Sequence, residues 1–184
     1  MRKTNDSTKG TVILETSIVL PLFMIMILFI YGLFSVTSAQ NQMTHALIQS
    51  SKSLSLDPYL TEHVDSAAEA DTFWSSLGSM VLDFARLSND RHFSSSDDWY
   101  KGTGDASLAK DRFVGFLTGG DDDAADEKLK DLGIVNGLNG VAFDMKISGE
   151  DMTITMKYEI QFWFDAFNLG KIPMEQTITT KLWK

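Results

Sequence analysis

Glu15 is the first residue whose position asks for a chemical reason. It stands directly before Thr16–Ser51, a stretch with no Asp, Glu, Lys or Arg. A carboxylate at the centre of a bilayer costs about 2.5–3.5 kcal/mol even on lenient insertion scales. At the border of an apolar helix the cost is smaller, and a positive partner offsets it. The junction reads Lys9-Gly10-Thr11-Val12-Ile13-Leu14-Glu15, so Gly10 closes a short basic leader five residues before the glutamate. If the chain is cut after Gly10, the new amine of Thr11 lies four residues before Glu15, at the positive end of a helix. Glu15 then answers its own amine or that of a neighbouring subunit.

Other residue types that do chemistry are present but ungrouped. His45, His63 and His92 lie far apart, with no H-E-x-x-H or H-x3-H spacing. The triplet Asp121-Asp122-Asp123 fails as a calcium loop, because the sixth position is Asp126 instead of glycine and the twelfth is Leu132 instead of glutamate. A helix cap or a solvated turn is the better reading of it. Gly102-Thr103-Gly104 is too short to cradle a phosphate, and no G-x-S-x-G, Walker or dinucleotide pattern occurs. With no cysteine there is no thiol nucleophile, zinc ribbon or disulfide framework. These observations predict no enzyme, no metal and no cofactor. A net charge of -9 without a Lys/Arg cluster also argues against nucleic acid as a partner.

Ile18–Phe34 reads IVLPLFMIMILFIYGLF, 17 residues with almost nothing polar. Crossing about 30 Å of hydrocarbon takes about 20 helical residues, and the small, weakly polar Ser35–Ala39 completes the span. The run is apolar on all faces, whereas a buried core helix needs only a stripe. Arg2, Lys3 and Lys9 against Asp6 give the leader +2 and leave -11 for the remaining chain. Positive flanks stay in the cytoplasm, so the C-terminal part is expected outside. Pro21 falls inside this helix and predicts a kink or local melting, and Gly32 is a lone small residue. A cleavable signal peptide stays open as an alternative, since Thr37-Ser38-Ala39 offers small residues before Gln40.

Within 184 residues there is room for one ordinary domain beyond this segment. The 43% hydrophobic and 22% charged content is globular. No Gly or Pro interrupts Val36–Leu56, which predicts one helix from Thr11 to Leu56, ended by Asp57-Pro58. Phe73, Leu77, Met80, Val81, Phe84 and Leu87 form a helical stripe, opened near Thr61 and stopped at Asn89. Residues 88–104 read as a loop. A short helix is expected over Ala106–Thr118, burying Leu108, Phe113, Phe116 and Leu117, broken by Gly119-Gly120 and followed by another to about Leu132. The period then becomes two. Val141, Phe143, Met145 and Ile147 alternate with Ala142, Asp144, Lys146 and Ser148. Met152 to Phe164 alternates in the same way, and Ile172, Met174, Gln176, Ile178, Thr180 and Leu182 share a face. The fold class is therefore α+β: a long N-terminal transmembrane helix, then an exported head with two or three short helices on a three-stranded antiparallel sheet. Its divisions are a leader at 1–10, the helix at 11–56 and the head at 57–184.

Gly, four mostly apolar residues, Glu and then an apolar helix resembles the processing site of type IV pilin-like proteins. Glu15-Thr16-Ser17-Ile18-Val19-Leu20-Pro21 and the final hairpin, with Lys171-Ile172-Pro173 and Trp183, are similar to TadE-like pseudopilins. Residue 11 is Thr where many pilins carry Phe, and residue 16 is Thr where the Tad group usually has an aromatic. The resemblance covers residues 9–56 and 141–183. It implies cleavage between Gly10 and Thr11 by a prepilin peptidase and a role for Glu15 in assembly. The implied function is that of a minor subunit or assembly factor of a Tad-type pilus or related secretion apparatus. Its partners would be the membrane, other pilin or pseudopilin subunits and an assembly platform. An uncleaved, single-pass, membrane-anchored binding protein is the alternative with the same topology.

Overall fold

The computed structural model describes residues 6–67, 92, 99–161 and 170–183, of which 6–15 and 60–67 by backbone alone. The stripe at 73–87 with its stop at Asn89, and the Phe162–Phe164 end of the second expected strand, lie outside the described residues.

One helix, α1, runs from Asp6 to Ala67. Its 62 residues make it about 93 Å long at 1.5 Å per residue. The expected stop at Asp57-Pro58 is corrected: Pro58 lies inside α1, and Thr61 continues this helix instead of opening another. Proline in a helix interior forfeits one backbone bond and costs about 3 kcal/mol. Here packing outweighs that loss, because Leu54 and Pro58 are fully buried and Asp57 is ion-paired to the head.

The buried face of α1 begins beyond the apolar run. Ala39, Met43, Ala46, Leu47, Ser50, Leu54 and Pro58 follow one another at steps of three, four or one residues, a single helical face. Small residues on this face let the sheet approach closely. Two buried serines satisfy their hydroxyls locally, Ser50 donating to the Ala46 carbonyl at 2.7 Å and Ser55 to that of Lys52 at 2.8 Å.

α2 spans Ala106–Thr118, as the spacing predicts. Asp105 starts it, its carboxylate accepting from the Ser107 N–H, and Gly119 ends it in the left-handed region at φ 76°. The Ser107 hydroxyl, donating to the same carboxylate, is the main reason the Asp105 carboxyl is held below its ordinary range. Leu108, Phe113 and Leu117 are buried, but Phe116 is 36% exposed and is corrected to the surface. It borders an open groove shared with Asn41, Gln42 and His45 of α1 instead of filling the core. α3 spans Asp122–Asp131, with Asp121 Oδ1 accepting from the Ala124 N–H at 3.0 Å. The first aspartate of the triplet is thus a helix cap. In the expected loop at 88–104, Trp99–Lys101 forms a 3-10 turn whose Trp99 and Tyr100 are buried.

The sheet has the order β1-β2-β3, with β1 at Ala142–Ser148, β2 at Asp151–Gln161 and β3 at Lys171–Lys181. Both pairings are antiparallel, in registers that pair Ser148 with Asp151 and Gln161 with Lys171. The β1–β2 turn is Gly149-Glu150, and Gly149 takes φ 66°, a positive angle at the first turn position that suits glycine. One face of the sheet packs on α1 and α2. The other is polar, with cross-strand hydroxyl pairs Thr153–Thr179 at 3.0 Å and Thr155–Thr177 at 3.1 Å. The Gln161 N–H donates to Gly133 and the Val135 N–H to Glu159, so odd positions of β2 point away from β3. Pro173, opposite Glu159, therefore has its missing N–H on the free edge of the sheet, where no ladder bond is lost.

Candidate functional site

The candidate site is α1 itself, which changes character along its length. Thr16–Tyr59 contains a stretch long and apolar enough to cross a bilayer. Ile18 and Leu22 are 69% exposed and Phe34 70%, and between them Phe23, Met24, Met26, Ile30 and Tyr31 are exposed as well. In this stretch Gly32 alone among the described residues is buried. Leaving so many large apolar side chains in water forfeits about 25 cal/mol per Å² of each. A bilayer removes that penalty without requiring another protein surface.

The expected processing and assembly residues fall on the first turns of this helix. Gly10, Thr11 and Glu15 are all helical, and α1 begins four residues before Gly10. Their side-chain surroundings lie outside the described residues. At Pro21 the helix is continuous.

Beyond the apolar run the head grips α1 through an ionic link. Arg112 on α2 is 3% exposed, and its Nη2 donates to Asp57 Oδ2 at 2.7 Å. Its Nη1 donates to Ser53 Oγ at 2.6 Å and to Asp57 Oδ1 at 3.3 Å. This two-pronged pairing suits a guanidinium. At the far end of the sheet, Ser51 and Thr180 share a hydroxyl bond at 3.0 Å, and the Trp183 N–H donates to the Ser55 carbonyl at 2.9 Å. Sequence reasoning missed the Arg112–Asp57 link. Its available signal was an arginine beside Phe113 in the middle of an apolar helix pattern, since such a residue is seldom buried unless paired.

Among the described residues, grooves border α1 at two levels. The first, of about 340 Å³, lies where the apolar run ends, between Tyr31, Gly32, Ser35 and Val36 of α1 and Leu132, Gly133, Ile160 and Gln161 of the head. The second, of about 400 Å³, is lined by Asn41, Gln42 and His45 of α1 and by Phe116 and Lys128. Lys128 is committed to the carbonyl of Leu117 at the end of α2, 3.1 Å away. On α3 itself, Asp126 pairs with Lys130 one turn on at 2.6 Å and accepts from the Leu138 N–H at 2.8 Å. The Lys130 contact chiefly holds the Asp126 carboxyl below its ordinary range and raises the Lys130 ammonium above its own.

Of the sequence-picked histidines, the side chain of His63 lies outside the described residues, and the other two have different neighbours. His45 sits at the second groove, while His92 is buried with its Nε2 3.1 Å from Asp122 Oδ1. Among the described residues no three His, Asp or Glu side chains group as metal ligands. The arrangement shown is one helix with a stretch long and apolar enough to cross a bilayer, whose later turns pack under the head. No family model, curated protein or solved structure matches the chain.

Proposed function

We propose that the chain is a single-pass membrane protein of the pseudopilin type. Its N-terminus is cytoplasmic, its head lies outside, and it serves a Tad-type or related pilus as a minor subunit or assembly factor. The observation that supports this best is the contrast within α1: bare apolar side chains over Ile18–Phe34, then a buried face from Ala39 onward. The basic leader before the helix supports the orientation. In this reading a prepilin peptidase cuts between Gly10 and Thr11. The apolar helix packs among other pilin-like subunits, and Glu15 sets axial register by pairing with a neighbour's new amine. Because the first turns of α1 include the Gly10–Thr11 bond, cutting requires a local unwinding, which is inexpensive at a helix terminus.

That same helical continuity favours a second reading, an uncleaved anchor that carries a binding domain and enters no filament. A signal peptide cut before Gln40 fits poorly, because Ala39 belongs to the core of the head and α1 continues through it. Intact mass of the protein from native membranes, with and without a prepilin peptidase, separates the three. Peptidase-dependent loss of residues 1–10 is expected, and Glu15→Ala should then abolish assembly without changing processing or membrane extraction. An unprocessed mass would sink the filament mechanism in favour of the anchor. A chain starting at Gln40 would overturn both.

A further inference from the structure

The two edges of the sheet are finished differently. On the β1 side the outward groups are covered. The Ile147 N–H donates to the Thr103 carbonyl at 3.2 Å, and Gly104 lies so close to the Met145 carbonyl that a Cβ there would collide with it. On the β3 side they are open. Even positions of β2 pair with even positions of β3, so the odd positions of β3 turn their N–H and C=O outward. Among the described residues none bonds to these groups at Glu175, Thr177, Thr179 or Lys181, and all four residues are exposed. Above them α1 covers the edge, where the Trp183 N–H reaches Ser55. Below them Pro173 has no N–H to offer. An open run of this kind, without proline or bulge, is a template for another strand.

The inward side of the same edge is also incomplete. β2 buries its inward side chains, whereas Met174 and Ile178 of β3 are only half-buried. Ser51 and Ser55 mark the side of α1 that meets β3. Ile48, three residues before Ser51, and Tyr59, four after Ser55, continue that side and are 37% and 43% exposed. A strand added to β3 would lay its inward side chains over Met174, Ile178 and Ile48. Its outward side chains would extend the polar face, where Glu175 and Lys181 stand six residues apart with opposite charges.

We propose that the Glu175–Lys181 edge takes up an extended segment of a partner protein as a fourth, antiparallel strand. The segment carries apolar side chains opposite Met174 and Ile178, a carboxylate opposite Lys181 and, six residues later, a cation opposite Glu175. Backbone bonds supply the affinity, and the alternating side chains set the register. The reading of α1 as a membrane span, on which the proposal rests in this one respect, excludes a second copy as the occupant. β3 rises beside α1, from the Gln161–Lys171 pair near Ser35 to Trp183 at Ser55. Copies held in one membrane therefore point their β3 strands the same way and cannot pair them antiparallel.

The sequence Pro173–Trp183 is itself a segment of the required chemistry. Run antiparallel about Ile178, it sets Lys181 against Glu175 and Glu175 against Lys181. A fluorescein-labelled peptide of this sequence, titrated with the full chain in lipid nanodiscs, should bind with a rise in anisotropy. Thr177→Pro removes an open-edge N–H but no bond of the sheet ladder, and should weaken binding by about tenfold or more. Thr177→Val keeps that N–H and should bind as the parent does. Lys181→Glu should weaken binding by about threefold, and a peptide with lysine in place of its glutamate should restore it. No binding of the parent peptide, or binding that survives Thr177→Pro, overturns the proposal. With no native cysteine, Ile178→Cys gives a separate reading in native membranes. A disulfide between two copies there would make the occupant a second copy, overturning both the proposal and the shared orientation of α1. Peptide binding lost in Thr177→Pro while Ile178→Cys stays uncrosslinked is the expected result.

Discussion

The two halves of α1 are built from one continuous helix, yet they answer to different surroundings. From Ile18 to Phe34 almost every side chain is apolar and bare; from Ala39 to Pro58 a single face is buried and the opposite face is largely polar. In the membrane reading proposed above, the first half needs no shape-matched partner, because lipid accepts any apolar outline. The second must fit particular neighbours, so it uses small residues, an ion pair and locally satisfied hydroxyls. Helix propensity cannot distinguish the halves. The width of the apolar surface does, since a helix apolar all round needs an apolar medium and a striped one needs a protein. The head thereby gains a rigid stem whose height above the first half is fixed by counting residues.

Removing the ionic grip is the severest way to break this contrast. Asp57→Ala leaves the Arg112 guanidinium buried opposite Ser53 without its carboxylate. Losing one partner of such a pair costs about 3–5 kcal/mol. Denaturant unfolding of the full chain in detergent, followed by near-ultraviolet circular dichroism, should show the head melting earlier while far-ultraviolet helix signal from the apolar half persists. The double variant Asp57→Leu with Arg112→Met should recover most of the loss, because an apolar pair of similar volume avoids the buried charge. A single variant as stable as the parent would mean that the ionic link is not what holds the head to the stem.

A matched truncation tests the halves against each other. Leu47 is fully buried and Leu22 is 69% exposed. Leu47→Ala should cost about 2–5 kcal/mol of head stability, the range for an emptied core site. Leu22→Ala should stay within about 0.5 kcal/mol in the same unfolding experiment. Equal losses would contradict the division of α1 into an exposed apolar half and a half packed under the head.

What could be read from the chain follows the same division. Period-two alternation placed β1 and most of β2 and β3 because each strand turns one face inward, half-buried in β3, mostly so in β1 and fully buried in β2, where Met152, Ile154, Met156, Tyr158 and Ile160 follow it residue by residue. Gly119 and Asp121 marked the end of α2 and the start of α3, since left-handed backbone and capping carboxylates are local requirements. The continuation of α1 through Pro58 was not legible. A proline normally argues for a boundary, and the packing that overrides it comes from Arg112, 55 residues away from Asp57. Phe116 misled for a related reason, because helical spacing places a residue on a face without saying whether a neighbour covers that face. The basic leader, Gly10 and Glu15 were legible as a pattern, but what Glu15 pairs with depends on other chains.

The finest contrast is between two tyrosines. Tyr31, on the bare half, is 60% exposed, whereas Tyr158, under the clothed half, is 3% exposed. The Tyr158 hydroxyl accepts from Gln176 Nε2 at 2.9 Å, while Gln176 Oε1 is buried with no hydrogen-bond partner among the described residues. Tyr158→Phe therefore strands the second polar atom of this amide and should cost about 1–3 kcal/mol at neutral pH. Tyr31→Phe should change head stability by less than about 0.5 kcal/mol. Alkali sharpens the difference. Burial pushes the Tyr158 phenol from its ordinary 10.0 up to about 12. An unfolded chain ionises this group first, so its contribution to stability is whole below pH 10.0 and is lost as the pH rises toward about 12. Unfolding midpoints measured across that window should fall more steeply for the parent than for Tyr158→Phe, which has no phenol to ionise. Parallel curves would mean that the phenol is solvated in the folded head, and that the stem–sheet interface is wetter at Tyr158 than its burial implies.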